Sequence, residues 1–417
     1  RSFSSSPSIQ NEFIRVNFSS TTGHIANIEL LKTNQVFTLD QSLFWYNASD
    51  GRNFNSSQAS GAYVFRPNNT FQYPYQPFYL SDDLDIAHHN PDHVNVAQNV
   101  FSRGSIMQQV YQVFSVASQW GRQYFRLYSG CNYLESEYVI GEIPNVAPFL
   151  GKEVITRWSI NDLISHGRLE TDANGLEMVE HRLNYRDTFS VAQTNPVSSN
   201  YYPMTSAASI SSTNTTGGNT MQFSVVTDRA QGVASLQDGQ LEVMLHRRLV
   251  HGDGKGLGEV LQDSSTIRTT HRNIFSTDPT QAVYERRTSS LQMNNQPVVL
   301  FASISTSIEQ YLSTHKSSYS PLQRSLPPNV ELLTVESLNK TDANGSNTLL
   351  VRFHHLYAKD EHPLYSRDVN VNILSLFNAQ VFGQINSMRE YQLTGIKPIE
   401  QTKRMQWQTA DQKMLPT

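Results

Sequence analysis

The sequence holds one cysteine, little charge and no long apolar run, and each scarcity removes a class of function. Cys131 is the only cysteine in 417 residues. No catalytic-cysteine signature surrounds it, so it reads as a small, partly buried thiol. Charged residues make up 16% of the chain, and the net charge is −4. That leaves no basic footprint for nucleic acid. No apolar run approaches the roughly 18 residues of a membrane span. No signal peptide opens the chain. It begins at Arg1 rather than Met, as expected of a processed product or a fragment. Phosphate chemistry is also unsupported. Gly254-Lys255 is followed by Gly256, where a Walker loop needs Ser or Thr. Neither a G-x-S-x-G elbow nor a local pair of carboxylates stands out.

What is present is period-two alternation from end to end. Ile14, Val16 and Phe18 share one strand face, and Ala26, Ile28 and Leu30 the next. The same pattern recurs at Leu134, Tyr138 and Ile140, at Phe223 and Val225, and at Leu241, Val243 and Leu245. It returns at Leu349, Val351 and Phe353, and at Val369, Val371 and Ile373. Side chains of a strand alternate between faces, so these runs predict half-buried sheet. Asn174-Gly175 predicts a two-residue hairpin, because Asn-Gly accepts positive φ at both turn positions. The pentapeptide Thr171–Gly175 repeats at Thr341–Gly345. Both copies read as turns rather than calcium loops, since the closing Glu is absent. Helix is sparse, with one short segment at Ser307–Leu312. The Ser/Pro-rich stretch from Ser317 to Pro328 reads as a linker. The expected organisation is an N-terminal extension over 1–11, a large β-sandwich over 12–320, a linker over 321–328 and a C-terminal β domain over 329–417.

Seven sequons, at Asn17, Asn47, Asn55, Asn68, Asn214, Asn339 and Asn344, favour a glycosylated protein of the secretory pathway. His89 and His93 have the spacing of a helical metal site, but Pro91 breaks that helix, so His88, His89 and His93 read as a loop. His354 and His355 point to opposite faces of a strand. Asp82, Asp83 and Asp85 read as a solvated acidic loop. Two other runs leave a ligand role open beside a structural one. Ser60-Gly61-Ala62-Tyr63 brings small residues and a polar aromatic to a strand entrance. Gly252–Gly258 alternates glycine with Asp253, Lys255 and Leu257 after a strand.

Phe44–Ser49, Ser57–Pro67, Gly151–Arg157, Thr171–Gly175, Asn200–Pro203, Thr227–Gly232 and Leu245–Leu249 resemble, in order, the lysosomal-type α-mannosidases of glycoside hydrolase family 38. Leu349–His355 extends the resemblance toward the C-terminus. It implies a mainly β fold, with a large β-sandwich (supersandwich) followed by a smaller C-terminal β-sandwich. It also implies a C-terminal portion of a zinc-dependent, retaining enzyme that removes terminal α-linked mannose. Zinc ligands, nucleophile and acid would lie upstream in an α/β catalytic chain or domain of the same precursor, with none in this chain. Tyr63 matches the family Tyr that bonds the sugar. Asp253, Lys255 and Gly256 match a loop whose backbone meets a sugar hydroxyl. Lys255 stands where Arg is usual, and Gly252 where Asp is common. The implied partners are that upstream chain and mannose-containing glycans, and the implied location is the lysosome or the secretory route. By itself this portion is expected to be inactive. A different reading of the same residues is a stand-alone carbohydrate-binding β-sandwich without hydrolytic activity, or a purely structural protein.

Overall fold

The computed structural model describes residues 7–51, 58–68, 78–79, 96–114, 120–145, 151–191, 195–212, 220–341 and 347–403. It divides into two compact units, one through Pro297 and one from Val298. Among the described residues the first unit carries two nine-stranded sheets, each antiparallel throughout. Sheet one runs in the order β1 (Ser8–Gln10), β2 (Ile14–Phe18), β3 (Ile25–Leu30), β4 (Gln35–Asn47), β10 (Lys152–Ile160), β17 (Gln240–Arg248), β16 (Gln231–Ala234) and β13 (Tyr202–Met204). Strand β5 (Phe78–Tyr79) pairs with β4. Sheet two runs β12 (Glu177–Arg182), β11 (Arg168–Ala173), β14 (Ala207–Ser211), β15 (Gln222–Thr227), β18 (Ile267–Ser276), β9 (Leu134–Ile140), β8 (Gly121–Tyr128), β7 (Met107–Phe114) and β6 (Val96–Arg103).

The alternation seen in the sequence is what lets the two sheets share a core. Ile14, Val16 and Phe18 of β2, Leu39 of β4 and Trp158 of β10 pack with Phe125, Phe223 and Phe275 of sheet two. Trp158 sits at its centre, fully buried, with ring centroids 5.4 Å from Phe223 and 5.9 Å from Phe275. Burying one such aromatic contributes on the order of 2–3 kcal/mol. Register departs from strict alternation in β3. A bulge sets Phe18 opposite Ile25, so Ile25 rather than Ala26 joins the core.

A polar belt crosses the interior. Gln41 Nε2 of sheet one donates to Thr156 Oγ1 at 3.0 Å, and Gln123 Nε2 of sheet two donates back to Gln41 Oε1 at 3.0 Å. Gln123 also donates to Gln112 Oε1 at 2.6 Å, and Gln112 donates to the Gly23 carbonyl at 2.7 Å. These buried groups satisfy one another, as groups removed from water must. Beyond the belt a second apolar cluster gathers Leu43, Trp45, Phe114, Trp120, Tyr138 and Ile140.

The Asn-Gly turn is present, with φ of 56° at Asn174 and 75° at Gly175. Register places Ala173 opposite Glu177, so Leu176 joins the loop as a third residue. Asp172 braces it from inside. Its carboxylate accepts from the amides of Thr205, Ser206, Ala207 and Gly175 at 2.7–3.0 Å and from Ser206 Oγ at 3.2 Å. That shell explains why this Asp sits in a turn rather than a calcium loop.

A helix absent from the sequence reading, α1 (Pro279–Asn294), packs on β15 and β18. Asp278 caps it by accepting from the amides of Thr280 and Gln281, and Pro279 occupies its first turn. Its buried side chains are Ala282, Arg286, Arg287, Ser289 and Met293, so no apolar stripe marks it. Arg287 instead donates to the carbonyls of Gly175 and Leu176.

The second unit holds the predicted short helix, α2 (Ile308–Thr314), capped by Ser307. It also holds a small separate sheet of β19 (Val330–Thr341) and β20 (Asn347–His355). His354 and His355 do face apart. His354 lies 3.5 Å from Glu331, and His355 bonds the Tyr357 carbonyl at 3.0 Å. The alternating Val369–Ile373 run forms no strand, and Val369 is exposed. Alternation needs a neighbouring strand to receive its backbone, and none pairs there among the described residues.

Candidate functional site

The site is built where the chain leaves β4. Ser49 N–H donates to the Arg66 carbonyl and Ser60 N–H to the Ser49 carbonyl, at 2.7 and 2.9 Å. Ser60 Oγ donates to the Arg66 carbonyl and accepts from the Arg66 amide, both at 2.8 Å. Gly61 and Val64 exchange backbone bonds of 2.9 and 3.2 Å, which closes a tight turn with Ala62 and Tyr63 at its tip. Tyr63 projects from that tip and is 77% exposed.

The glycine-rich loop meets this turn at Gly61. A methyl group there would stand 2.3 Å from Asp253 Oδ2, so only glycine lets the two segments touch. Asp253 Oδ1 accepts from the Lys255 amide at 2.9 Å across Gly254, whose φ is 69°. Lys255 and Gly256 are exposed. Tyr63 and Asp253–Gly256 therefore lie on adjoining segments of one open surface.

Beneath the turn lies the outer face of sheet one. Phe65 packs edge-on between Tyr46 and Tyr201, with centroids 5.8 and 4.8 Å away. Both tyrosine hydroxyls donate to Glu242 Oε1, at 2.7 and 2.5 Å. Arg157 Nε donates to Glu242 Oε2 at 2.9 Å, and Arg157 Nη2 reaches both Glu242 and, at 3.1 Å, the Tyr46 hydroxyl. Burial, and then the Glu242 charge, hold both tyrosines well above the usual phenol range. They stay neutral donors. Next to this network, Arg247 forms a two-point pair with Glu153, Nε to Oε2 at 2.6 Å and Nη2 to Oε1 at 3.0 Å. Arg247 Nη2 also donates to the Val64 carbonyl at 3.1 Å.

Both ion pairs are direct cross-strand partners, Glu153 with Arg247 and Arg157 with Glu242. Glu242 and Arg247 are an odd number of positions apart and would face opposite ways on a regular strand. The bulge at Leu245 turns them to the same face. None of these four charged residues carried a role in the sequence reading, because pairing and bulge become visible only with the register.

Among the described residues no group of three or more His, Cys, Asp or Glu could hold a metal ion. His88, His89, His93, Asp82, Asp83, Asp85, Asn55, Asn214 and Asn344 lie outside the described residues, as does the Asn339 side chain. Asn17 Nδ2 donates to Asn27 Oδ1 and Glu29 Oε1, so a glycan there would displace at least one of these bonds. Asn47 and Asn68 are half-buried, and Asn68 N–H bonds the Asn47 carbonyl. Cys131 is a half-buried free thiol.

Residues 9–255 match the model of the glycosyl hydrolases family 38 C-terminal domain. Lysosomal alpha-mannosidase of Bos taurus is 36% identical over 406 residues, 96% of this chain and 37% of that protein. The Homo sapiens lysosomal alpha-mannosidase is 35% identical over 98% of this chain and 37% of its own length. An alpha-mannosidase of Canavalia ensiformis is 31% identical over 94% and 37%. The chain thus spans a little over a third of the curated relatives it matches. A solved alpha-mannosidase from Enterococcus faecalis V583 superposes with a TM-score of 0.52 at 13% identity, covering 84% of this chain and 36% of that one, a likeness of fold. By the match over residues 9–255, this chain belongs to glycosyl hydrolase family 38, as its C-terminal region.

Proposed function

We propose that this chain is the C-terminal portion of a retaining, zinc-dependent α-mannosidase that removes terminal α-linked mannose from glycans in the lysosome. The observation that carries the proposal is the seating of the Tyr63 turn on the Asp253 loop through Gly61. It gathers on one open surface a phenol and a loop of exposed backbone groups, polar groups suited to a sugar's hydroxyls. The lysosomal and catalytic parts of the reading rest on the relatives named above.

In this reading the zinc belongs to the upstream catalytic domain, an assignment that rests on the resemblance to family 38 alone. The nucleophile and acid are assigned upstream as well, as retaining hydrolysis needs two carboxylates flanking the bond. What this chain supplies is orientation. The Tyr63 hydroxyl donates to or accepts from a sugar hydroxyl, and the Lys255–Gly256 backbone presents a carbonyl to another. A backbone contact survives Lys in place of Arg, while a bidentate side-chain contact does not.

The test is Tyr63→Phe in the full-length enzyme, assayed on an aryl α-mannoside. A positioning bond predicts roughly a tenfold fall in kcat/KM, less than the hundredfold or more lost when a bond to developing charge is removed. Unchanged kcat/KM removes Tyr63 from the site.

A further inference from the structure

We propose that Arg247, held by Glu153, is the positioning residue for Tyr63; this rests on the reading that Tyr63 contacts the sugar. Tyr63 is mostly solvent-exposed, so its ring is aimed by the backbone of its turn. The turn is closed by Gly61 and Val64 and braced at its base by Ser60 and Arg66, and the Val64 carbonyl is where a side chain of the sheet takes hold of it. The group that holds it is the Arg247 guanidinium.

Geometry favours this role over simple surface pairing. The Glu153 side chain is 1% exposed and that of Arg247 24% exposed. The carboxylate is therefore fixed within the sheet face, and it fixes the guanidinium through two parallel bonds. A planar fork pinned at one edge can direct a remaining N–H only one way, and here that way is the Val64 carbonyl. The Leu245 bulge is what turns Arg247 toward the turn. Bulges often re-aim side chains beside active sites. Phe65, the next residue, is wedged between Tyr46 and Tyr201. The turn is thus held at two consecutive residues, and a small shift there is magnified at the phenol.

Arg247→Lys separates positioning from charge. Lysine keeps a cation beside Glu153 but cannot serve Glu153 twice and Val64 once in that geometry. In the full-length enzyme, with an aryl α-mannoside, Arg247→Lys is expected to lower kcat/KM on the order of tenfold, since small misplacements are costly in catalysis. The melting temperature should stay close to that of the parent. In a Tyr63→Phe background the same substitution should have little further effect, because the group it positions is gone. Glu153→Gln, which frees the fork without removing it, should reproduce the Arg247→Lys loss and the same non-additivity. If Tyr63→Phe lowers kcat/KM but Arg247→Lys leaves it unchanged, or lowers it equally in both backgrounds, the positioning role is overturned and the Tyr63 reading stands. If Tyr63→Phe itself changes nothing, the sugar-contact reading falls and this proposal falls with it.

Discussion

Glu242→Gln tests the buried network under the site. Glu242 is 1% exposed and Arg157 5% exposed. The carboxylate accepts from Arg157 on one oxygen and from two tyrosine hydroxyls on the other. An amide of the same shape keeps the packing but not the charge. Its carbonyl would face Arg157, and its NH2 would face the two hydroxyls, which would accept from it and lose Glu242 as the acceptor of their own protons. The change therefore removes the anion together with the acceptor of two phenols. What remains is a buried guanidinium with no anion bonded to it. Removing one partner of such a pair costs about 3–5 kcal/mol. The lower end applies here, because Arg157 keeps its place 5.1 Å above the Phe44 ring. About 3 kcal/mol corresponds to a drop of roughly 6 °C in melting temperature for a unit of this size. Thermal unfolding of the full-length parent and variant at neutral pH measures it. The cost should shrink when Arg157→Met is added to Glu242→Leu, since the double variant strands no charge. A Glu242→Gln melting temperature within 1 °C of the parent (on the order of 0.5 kcal/mol) would refute the argument, as would strict additivity in the double variant.

Asp172→Ala removes the acceptor of four amides and a hydroxyl from a buried site. Orphaned donors of this kind cost roughly 1–3 kcal/mol each, partly recovered by water near Gly175, so a loss of about 3–5 kcal/mol is expected in denaturant unfolding. A loss below about 1 kcal/mol, a typical substitution, contradicts that account. His271 is fully buried, donates through Nε2 to Gln231 Oε1 at 2.7 Å and leaves Nδ1 without a partner, so a second proton there would find no acceptor. Burial is the main cause that pushes its pKa down to about 4; Arg229 adds to it and Asp228 opposes it. The unfolded state, titrating near 6.5, binds the proton first, so stability falls as pH drops from 6.5 toward 4, by up to roughly 3 kcal/mol. His271→Gln should flatten the melting temperature over that window, and parallel pH profiles for parent and variant would exclude the mechanism.

The sheet faces were legible because alternation is written locally. Each of Leu134, Tyr138 and Ile140, and each of Leu241 and Val243, is buried where the period of two places it. The site was legible only as fragments. Tyr63 and Asp253 each stood in a suggestive string, but their contact through Gly61 joins distant stretches of chain, and no local pattern encodes it. Cap chemistry at Asp278-Pro279 was the readable trace of α1, whose buried face is mixed in polarity and so escapes a periodicity search. The ion pairs were hidden for a stricter reason. Glu153 and Arg157 are four apart and share a face in any regular strand. Glu242 and Arg247 are five apart and share one only because Leu245 bulges. Strict alternation applied to β17 would bury Arg247 in the apolar core while Glu242 faced outward. Had the strand been regular, that cost would have selected against an arginine there. The bulge places Arg247 on the outer face, where Glu153 and the Tyr63 turn are waiting. One unpaired residue thus decides whether sheet one presents a hydrophobic wall or a charged hold on the loop above it.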